Sequence, residues 1–425
     1  MKGVLYRVLN KVFTLFNILA QRTKVLSKED VIALYSDEKK IEILNRMQNK
    51  NCVNVAFFCM SIPLWKYDTI FKAMLQDKHY NPIIFIAPRI DSWEKRKREI
   101  QQMKEYCLLN NFQYVSLKSE LFNVGQDIRK YNIDIAFYTQ PYYGAICKEY
   151  DFHNLSNTLL CYVPYAFLIS KESFCYNTLL ESIAWKNFFS SSVNLDVALE
   201  LSSKLTNIEI SGYPGYDMYI ESNVYEWKCP NLKKIIWAPH HSIEENGWVT
   251  TSCFLDICDY MFELAENYKN EIQIAFKPHP HLYPVLCNIW GYNKTNNYYK
   301  KWQTLENGML CEADNYSLFK SSDALIHDCG SFIMEYLYTG KPCMYLKKSG
   351  KIQIPLDEQG QAALSVHYLG YCKDDINYFI NEVVINRMDF KCIDRQNVFK
   401  KYVIPKNGKT ATENILSALK SIKMT

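Results

Sequence analysis

Short apolar runs alternate with amphipathic segments over most of this chain. Residues 53–59 (VNVAFFC) form the clearest apolar run, and residues 93–109 show the apolar spacing of a helix. Runs of four to eight residues that are apolar on both faces are typical of parallel strands covered by helices. The pattern therefore predicts an α/β protein whose sheets are parallel.

Two such series can be followed along the chain, with helices predicted between the strands. The first series has predicted strands at 53–59, 82–87, 114–117, 133–139, 158–163, 188–190 and 208–210, and predicted helices at about 66–77 and at 93–109. The second series has predicted strands at 234–238, 273–276, 324–327 and 342–346, and predicted helices at 252–268, 315–321 and 332–339.

A polar stretch at 221–234 separates the two series and is interpreted as a linker. We predict two doubly wound, Rossmann-like lobes that face a cleft. The predicted organisation is an N-terminal helical, membrane-association segment (1–48), an acceptor lobe (49–220), a donor-nucleotide lobe (231–373) and a helical tail (374–425) that packs back across the lobes.

The first 21 residues have an apolar stripe at helical spacing and polar residues on the other side. Arg7 and Lys11 interrupt any signal-peptide core, and no run of about 20 apolar residues exists to span a membrane. One interpretation is an amphipathic helix in the membrane interface. The alternative is that the stripe packs on the protein itself or on a partner subunit.

Composition narrows the class of protein. The formal charge is +4 and acidic residues alternate with basic ones, so the sequence shows no electrostatic footprint for nucleic acid. The fifteen cysteines are scattered without any CxxC pair. This favours free thiols in a reducing compartment over a disulfide framework or a zinc site, and we expect a cytoplasmic protein.

The strongest local motif is the segment from Ala324 to Glu335, where a buried strand runs into a small-residue turn that opens a helix. Gly330 and Ser331 would lie at the helix N-terminus, where free N–H groups and the helix dipole favour a phosphate. Glu335, one turn later, is in range of a ribose hydroxyl. N-capping by Asp328 or Ser331, without any ligand, explains the same spacing equally well.

A second motif, Lys277-Pro278-His279-Pro280, ends a predicted strand at its carboxyl edge, where open α/β sheets bind ligands. Lys277 supplies a positive charge for phosphate, and His279 supplies a hydrogen bond or a proton. A third strand ends in Pro239-His240-His241. Adjacent histidines in a strand point to opposite sides, so we predict no shared metal site.

Together these motifs resemble the CDP-glycerol glycerophosphotransferases that build teichoic-acid-type polymers, a family with the GT-B fold. The resemblance covers mainly residues 207–346, about a third of the chain. The matching positions are Gly212-Tyr213-Pro214 with Asp217, Ala238-Pro239, Lys277, His279-Pro280, Ser322-Asp323, Asp328, Ser331, Glu335 and Gly340-Lys341-Pro342.

The resemblance implies that His279 and Ser331 contact the donor phosphate, that Glu335 contacts the nucleotide, and that Asp328 organises the turn. The implied reaction is attack by an acceptor hydroxyl on a nucleotide-linked donor. Lys277, His279 and the helix end would stabilise the developing charge. Pro239 and His240 are further candidate donor-binding residues. No acidic metal-binding cluster is evident, so we expect metal-independent catalysis and no required cofactor.

The implied partners are a CDP-linked donor of glycerol phosphate or a polyol phosphate and a glycan or lipid-linked acceptor at the inner face of the cell membrane. The sequence leaves open whether the protein forms a homo-oligomer.

The sequence also departs from the family pattern. Cys329-Gly330 stands where the family has Tyr-Ser, and the first lobe lacks the family's His-Gly-Thr-Pro motif, whose histidine is the expected acceptor base. Asp151 and His153 are candidate substitutes by residue type and rough location.

These departures keep three alternatives open. The first is a GT-B glycosyltransferase that uses a UDP-, GDP- or CMP-linked sugar. The second is an enzyme like the UDP-GlcNAc 2-epimerases, whose Asp-Ser-Gly-Gly turn Asp328-Cys329-Gly330-Ser331 also resembles. The third is a non-catalytic scaffold.

Overall fold

A computed structural model describes residues 27–90, 93–201, 205, 207–243, 249–311, 314–348 and 353–420. The predicted amphipathic helix at 1–21 lies outside the described residues, and its role stays a prediction. The chain divides into two compact units. The first contains the described residues up to 166, those of 173–214 and those from 407 onward, and the second contains 167–172 and the described residues of 215–406.

The first unit contains a seven-stranded sheet in the order β3-β2-β1-β4-β5-β6-β7, in which every strand pair is parallel. Its strands are β1 Val53–Cys59, β2 Tyr80–Ile86, β3 Tyr114–Val115, β4 Ile135–Tyr138, β5 Leu159–Tyr162, β6 Lys186–Phe189 and β7 Ile208–Ile210. Its α-helices are α1 Lys28–Ala33, α2 Asp37–Gln48, α3 Asp68–Gln76, α4 Trp93–Leu109, α5 Leu179–Ile183, α6 Ser192–Leu201 and, at the end of the chain, α16 Ala411–Lys420.

The second unit contains a six-stranded parallel sheet in the order β10-β9-β8-β11-β12-β13. Its strands are β8 Lys233–Ala238, β9 Ile272–Phe276, β10 Gly308–Leu310, β11 Ala324–His327, β12 Cys343–Leu346 and β13 Tyr368–Gly370. Helix α7 Pro214–Glu221 leads into this unit, which continues with α8 Phe254–Asn267, α9 Leu282–Trp290, α10 Tyr292–Thr304, α11 Asn315–Ser321, α12 Phe332–Glu335, α13 Glu358–Ser365, α14 Lys373–Tyr378, a π-helical turn Phe379–Ile385 and α15 Cys392–Tyr402.

Strands β8, β9, β11 and β12 are buried almost throughout, because apolar clusters cover both faces of the second sheet. One cluster is built around Trp237, Phe276 and Trp302, and the other around Phe319 and Tyr336. Burial on both faces is why these strands are continuous apolar runs in the sequence.

The predicted fold class, with two Rossmann-like lobes built on parallel sheets, is confirmed. The bounds of β1, β7, β11, α4 and α11 agree with the predicted ones. Strands β10 and β13 and helices α5, α6, α7, α9, α10 and α13 were not predicted. The predicted packing of the 374–425 tail across both lobes stays a prediction. Among the described residues, no helix combines the length and apolar character needed to cross a membrane.

The strand order of the second sheet fixes where a ligand would bind. The chain moves from β8 outward to β9 and β10, then returns to β11 and continues outward to β12 and β13. Strands β8 and β11 are therefore neighbours whose following loops turn in opposite directions. In open α/β sheets the crevice at the carboxyl ends of such a strand pair is the usual ligand site.

Candidate functional site

The first and third sequence motifs meet at this switch point. Strand β8 ends at Ala238 and β11 ends at His327, and these two residues pair in the sheet register. The segments Pro239–His241 and Asp328–Ser331 therefore leave the sheet side by side. These two loop motifs are almost ninety positions apart in the sequence. In the structure they lie next to each other at the carboxyl edge of the sheet.

Asp328 joins the loops around this crevice. Its side chain is 1% exposed, and its two carboxylate oxygens accept hydrogen bonds from the backbone N–H groups of His240 and of Cys253, the latter at 2.7 Å. Burial raises the pKa of Asp328 to about 7, although these hydrogen bonds act in the opposite direction. Asp328 thus ties the end of β11 to the loop after β8 and to the start of α8.

The second motif lies on the neighbouring strand. The backbone N–H of Lys277 donates to Trp237 O at 2.8 Å, and that of His279 donates to Pro239 O at 3.0 Å. Burial raises the pKa of the Cys329 thiol well above its usual value, and the positive charge of Lys277 partly opposes that rise. Lys277 is therefore close enough to act electrostatically on the turn after β11.

Four of the eight histidines in the chain form one cluster at this edge of the sheet. The ring centroids of His240 and His241 are 4.2 Å apart, and His279 lies 4.9 Å from the first and 4.2 Å from the second. His281 completes the cluster, 5.4 Å from His241 and 5.5 Å from His279. We call this set of four residues the imidazole cluster.

The prediction that His240 and His241 point to opposite sides is wrong. Their ligand atoms, with those of His279, all lie within 4.8 Å of one another. Both residues follow Ala238, where β8 has already ended, so the two-residue alternation of strand side chains no longer applies.

The hydrogen bonds at the Nδ1 atoms show what kind of ligand this cluster suits. Nδ1 of His240 accepts from the backbone N–H of Ser242 at 3.3 Å and lies 2.9 Å from Oγ of the same residue, a hydroxyl that can also donate to it. Nδ1 of His279 accepts from the backbone N–H of His281 at 3.1 Å. A neutral imidazole whose Nδ1 accepts carries its proton on Nε2. Each of the two Nε2 atoms is therefore a donor, which suits an anion and not a metal ion.

His240 can donate from Nε2 as a neutral imidazole. Burial, together with smaller effects of the neighbouring His241 and His281, lowers its pKa from 6.5 to about 3. Near neutral pH its ring is a fixed, uncharged N–H donor. Lys277 adds a positive charge that acts on the turn after β11.

The turn after β11 differs from the predicted phosphate-binding helix end. Only Phe332–Glu335 is α-helical, and the chain then tightens into a 3₁₀ turn at Tyr336–Thr339. One α-helical turn has only a small dipole. Any phosphate contact here would therefore depend on the backbone N–H groups of Gly330 and Ser331 and on the Ser331 hydroxyl. Glu335 is 2% exposed, so a contact with ribose requires its neighbours to move.

A cavity of about 240 Å³ adjoins this turn. A methyl group on Gly330 would lie 2.5 Å from Cδ1 of Ile354, one of the residues that line the cavity. The lining residues are Ile333, Tyr345, Lys347, Gln353, Ile354, Leu356, Gln361 and Leu364. Because Gly330 has no side chain, Ile354 can pack directly against the turn.

The two candidate acceptor bases lie together in the first unit. Nδ1 of His153 is 3.6 Å from a carboxylate oxygen of Asp151, too far for a strong hydrogen bond. The other carboxylate oxygen of Asp151 accepts from the backbone N–H of Gly144 at 2.6 Å, which closes the turn before it. Their roles stay predictions.

Sequence reasoning did not assign His241, His281 or Ser242 to the site. The available signal was the density of histidines, since two strand ends each carry two imidazoles within three residues. What could not be read from the sequence was that β8 and β9 are adjacent strands, which brings the two pairs together.

Comparisons with known proteins agree on the fold. No family model and no curated protein sequence matches the chain. A variant of the wall teichoic acid polymerase TagF is 12% identical over 98% of each chain, with a TM-score of 0.56. S. aureus MnaA with UDP is 16% identical over 87% of this chain and 96% of that one, with a TM-score of 0.52.

A third similar structure is the UDP-GlcNAc 2-epimerase of Neisseria meningitidis bound to UDP-GlcNAc, which is 12% identical over 87% of this chain and 99% of that one, with a TM-score of 0.53. At such low identity the likeness shows the fold alone. That fold is of the GT-B type, with two Rossmann-like α/β lobes.

Proposed function

We propose that this chain is a GT-B transferase that takes a group from a nucleotide-linked donor and transfers it to an acceptor hydroxyl in cell-surface polymer synthesis. One observation carries the proposal. At the switch point of the second sheet, the hydrogen bonds at Nδ1 make Nε2 of His240 and of His279 donors, and Lys277 lies two residues before His279. Uncharged N–H donors and one cation at a sheet's carboxyl edge suit the phosphates of a nucleotide.

The first candidate donor is CDP-glycerol or a related CDP-linked polyol. The acceptor oxygen would form a bond to the distal phosphorus, the bond from that phosphorus to the bridging oxygen would break, and CMP would leave. His279, His240 and Lys277 would stabilise the charge that develops on the bridging oxygen, without a metal ion. Asp151 and His153 are the proposed proton acceptors. The resemblance of the motifs to the glycerophosphotransferases and the GT-B fold support this choice.

The second candidate donor is a nucleotide sugar, favoured by one specific observation. Strand β5 ends at Tyr162 and is followed by Val163-Pro164-Tyr165, which offers no imidazole where the glycerophosphotransferases have their histidine motif. In that case the acceptor oxygen attacks the anomeric carbon and the bond from that carbon to the phosphate oxygen breaks. The leaving group is the whole nucleoside diphosphate, or CMP when the donor is a CMP-linked sugar.

Nucleotide binding to the full-length chain tests both candidates. Unfolding is followed with CDP-glycerol, CDP-ribitol and UDP-, GDP- and CMP-linked sugars, and a ligand at 100 times its Kd adds about 2.7 kcal/mol of stability. The nucleotide that stabilises identifies the donor class. If none of them shifts the unfolding transition, the transferase proposal is wrong.

Variants then test the imidazole cluster. His279→Ala removes a hydrogen bond to a charged phosphate, worth about 1.5–3 kcal/mol, so nucleotide affinity should fall by about 10- to 100-fold. His279→Gln keeps a side-chain N–H donor and should recover part of that loss. His79→Ala, a half-exposed histidine of the first unit, is the matched control and should bind as wild type does. Equal affinity in all three variants would contradict the placement of the phosphates at this cluster.

A further inference from the structure

Two of the histidines outside the imidazole cluster lie with a cysteine inside the second unit. His327, Cys343 and His367 are each 0% exposed, and their ligand atoms lie within 4.8 Å of one another. We call this set the buried triad. None of its three residues belongs to the imidazole cluster or to the proposed nucleotide contacts.

The sheet register explains why these three side chains meet. Strands β11, β12 and β13 are adjacent and parallel, with Leu325 opposite Cys343 and Met344 opposite Tyr368. His327 is two residues beyond Leu325 and so lies on the same face as Cys343. His367 directly precedes Tyr368 and therefore lies beside Cys343. Three neighbouring strands each contribute one ligand-type side chain to one face.

The hydrogen bonds of the two imidazoles are those of metal ligands. Nδ1 of His367 lies 2.8 Å from Ala363 O, an atom that can only accept, so the proton is on Nδ1 and Nε2 carries a lone pair. Nδ1 of His327 lies 3.0 Å from Cys329 O and 3.2 Å from the backbone N of the same residue. It can therefore donate to that carbonyl, and the tautomer in which it does so leaves Nε2 with a lone pair. Metal-binding histidines usually donate their other N–H to a carbonyl or carboxylate in this way.

The remaining nitrogen atoms have no hydrogen-bond partner among the described residues. This holds for Nε2 of both His327 and His367, and both atoms are fully buried. A buried polar atom without a partner costs about 1–3 kcal/mol, so two such atoms on histidines clustered with one thiol need an explanation. A bound cation would satisfy both lone pairs and the sulfur at once.

We propose that His327, Cys343 and His367 bind a thiophilic divalent metal ion, with Zn²⁺ as the expected ion. One thiolate and two imidazoles form a mixed soft and borderline ligand set that suits zinc. Zinc–nitrogen bonds of about 2.0–2.1 Å and a zinc–sulfur bond of about 2.3 Å place tetrahedral ligand atoms roughly 3.4–3.6 Å apart. The ligand atoms, which lie within 4.8 Å of one another, therefore have to close by at most roughly 1.4 Å.

Two cations act on the triad, and an acidic partner pairs with one of them. The cations that act electrostatically on His367 are Arg395 and Lys391, and Arg395 also acts on Cys343. Arg395 is paired with Asp389 through hydrogen bonds of 2.7 and 3.0 Å. Loss of the thiol proton on metal binding removes one further unit of positive charge.

Such a metal would stabilise the end of β11, because His327 is the last residue of that strand and Asp328 follows it directly. The metal site would thus fix the strand end that precedes the turn Asp328–Ser331. The inference does not depend on nucleotide transfer, since its readout is metal binding alone.

Cobalt(II) is the probe, because a cobalt–thiolate bond absorbs strongly in the near ultraviolet. The reduced full-length protein is stripped with a chelator and titrated with Co²⁺. We expect a charge-transfer band that saturates at one equivalent and disappears when Zn²⁺ is added. If wild-type protein shows no such band, the proposal is overturned.

Variants assign the band to the triad. Cys343→Ser should abolish the band and weaken Co²⁺ binding by at least about tenfold. Cys311→Ser, a buried thiol of the same apolar cluster, is the matched control and should keep the band. His279→Ala should also keep it, which separates the triad from the imidazole cluster. Circular dichroism checks that Cys343→Ser is folded, and a band that persists in this folded variant would overturn the assignment.

Discussion

Asp328→Ala should weaken both the fold of the second unit and its nucleotide site. The carboxylate is buried and accepts the backbone N–H groups of His240 and Cys253, which belong to two different loop segments. Alanine leaves both donors without an acceptor at the end of β11. The loop that carries His240 would then lose its tie to the sheet edge.

The size of the effect follows from these two bonds. A hydrogen bond to a charged group contributes about 1.5–3 kcal/mol, and a buried donor left without a partner costs about 1–3 kcal/mol. Burial raises the pKa of Asp328 to about 7, so the carboxyl group carries only part of a charge near neutral pH. We therefore take the lower end for each bond and expect a loss of about 3–4 kcal/mol in the free energy of unfolding.

Asp323→Ala is the matched control at the other end of the same strand. Asp323 accepts one backbone N–H, from Lys234 at 2.8 Å, and its side chain is 37% exposed. Water can replace that acceptor, so the loss should be about 1 kcal/mol or less. Because Asp323 lies at the amino ends of the strands, its removal should leave nucleotide affinity unchanged.

Urea unfolding, followed by circular dichroism and tryptophan fluorescence in chelator-treated buffer, measures both variants against wild type. Nucleotide affinity is measured on the same samples. Should Asp328→Ala fail to fold, Asp328→Asn keeps one carbonyl acceptor and should give an intermediate loss. If Asp328→Ala is no less stable than Asp323→Ala, then Asp328 does not join the two loops as argued.

Two further predictions concern buried charge elsewhere in the chain. Burial raises the pKa of Glu181 from 4.5 to about 7, so the folded state holds a proton that the unfolded state has lost between those pH values. Stability should fall by about 3 kcal/mol as the pH rises from 4.5 to 7, and urea midpoints of Glu181→Gln should lack that slope. Arg395→Met leaves Asp389 without its buried partner and should cost about 3–5 kcal/mol in urea unfolding. Arg129→Met removes an 86% exposed side chain that pairs with Asp127, and it should leave the urea midpoint almost unchanged. Equal losses in the two arginine variants would contradict the role of burial.

The strands that the sequence predicted well are those buried on both faces. Strand β1 and strand β11 lie between two covering layers, so their apolar runs have sharp ends. Strands β10 and β13 each have three residues at the edge of the second sheet and include Gly308 and Gly370. An edge strand of three residues has too few apolar positions to produce a recognisable pattern. Such a strand is identified by its pairing with a neighbouring strand, which the sequence does not show.

The candidate site was predictable in its parts but not in its assembly. Each motif end could be placed at the carboxyl edge of a strand, because strand ends are visible in the pattern. The strand order could not be read in this way, since it depends on contacts between distant segments. The expected helix after Ser331 shows the same limit, because its change to a 3₁₀ turn after Glu335 depends on packing around the turn.

The backbone around each histidine determines what the two histidine groups of the second unit can bind. At His240 and His279 a backbone N–H reaches Nδ1, which leaves a proton on Nε2 and suits an anion. At His367 a backbone carbonyl accepts a hydrogen bond from Nδ1–H, which leaves a lone pair on Nε2 and suits a cation. The residue type alone is identical in both places. A histidine in this fold therefore has to be assigned from the hydrogen bond at its other nitrogen, and that bond exists only once the strand ends and loops are in place.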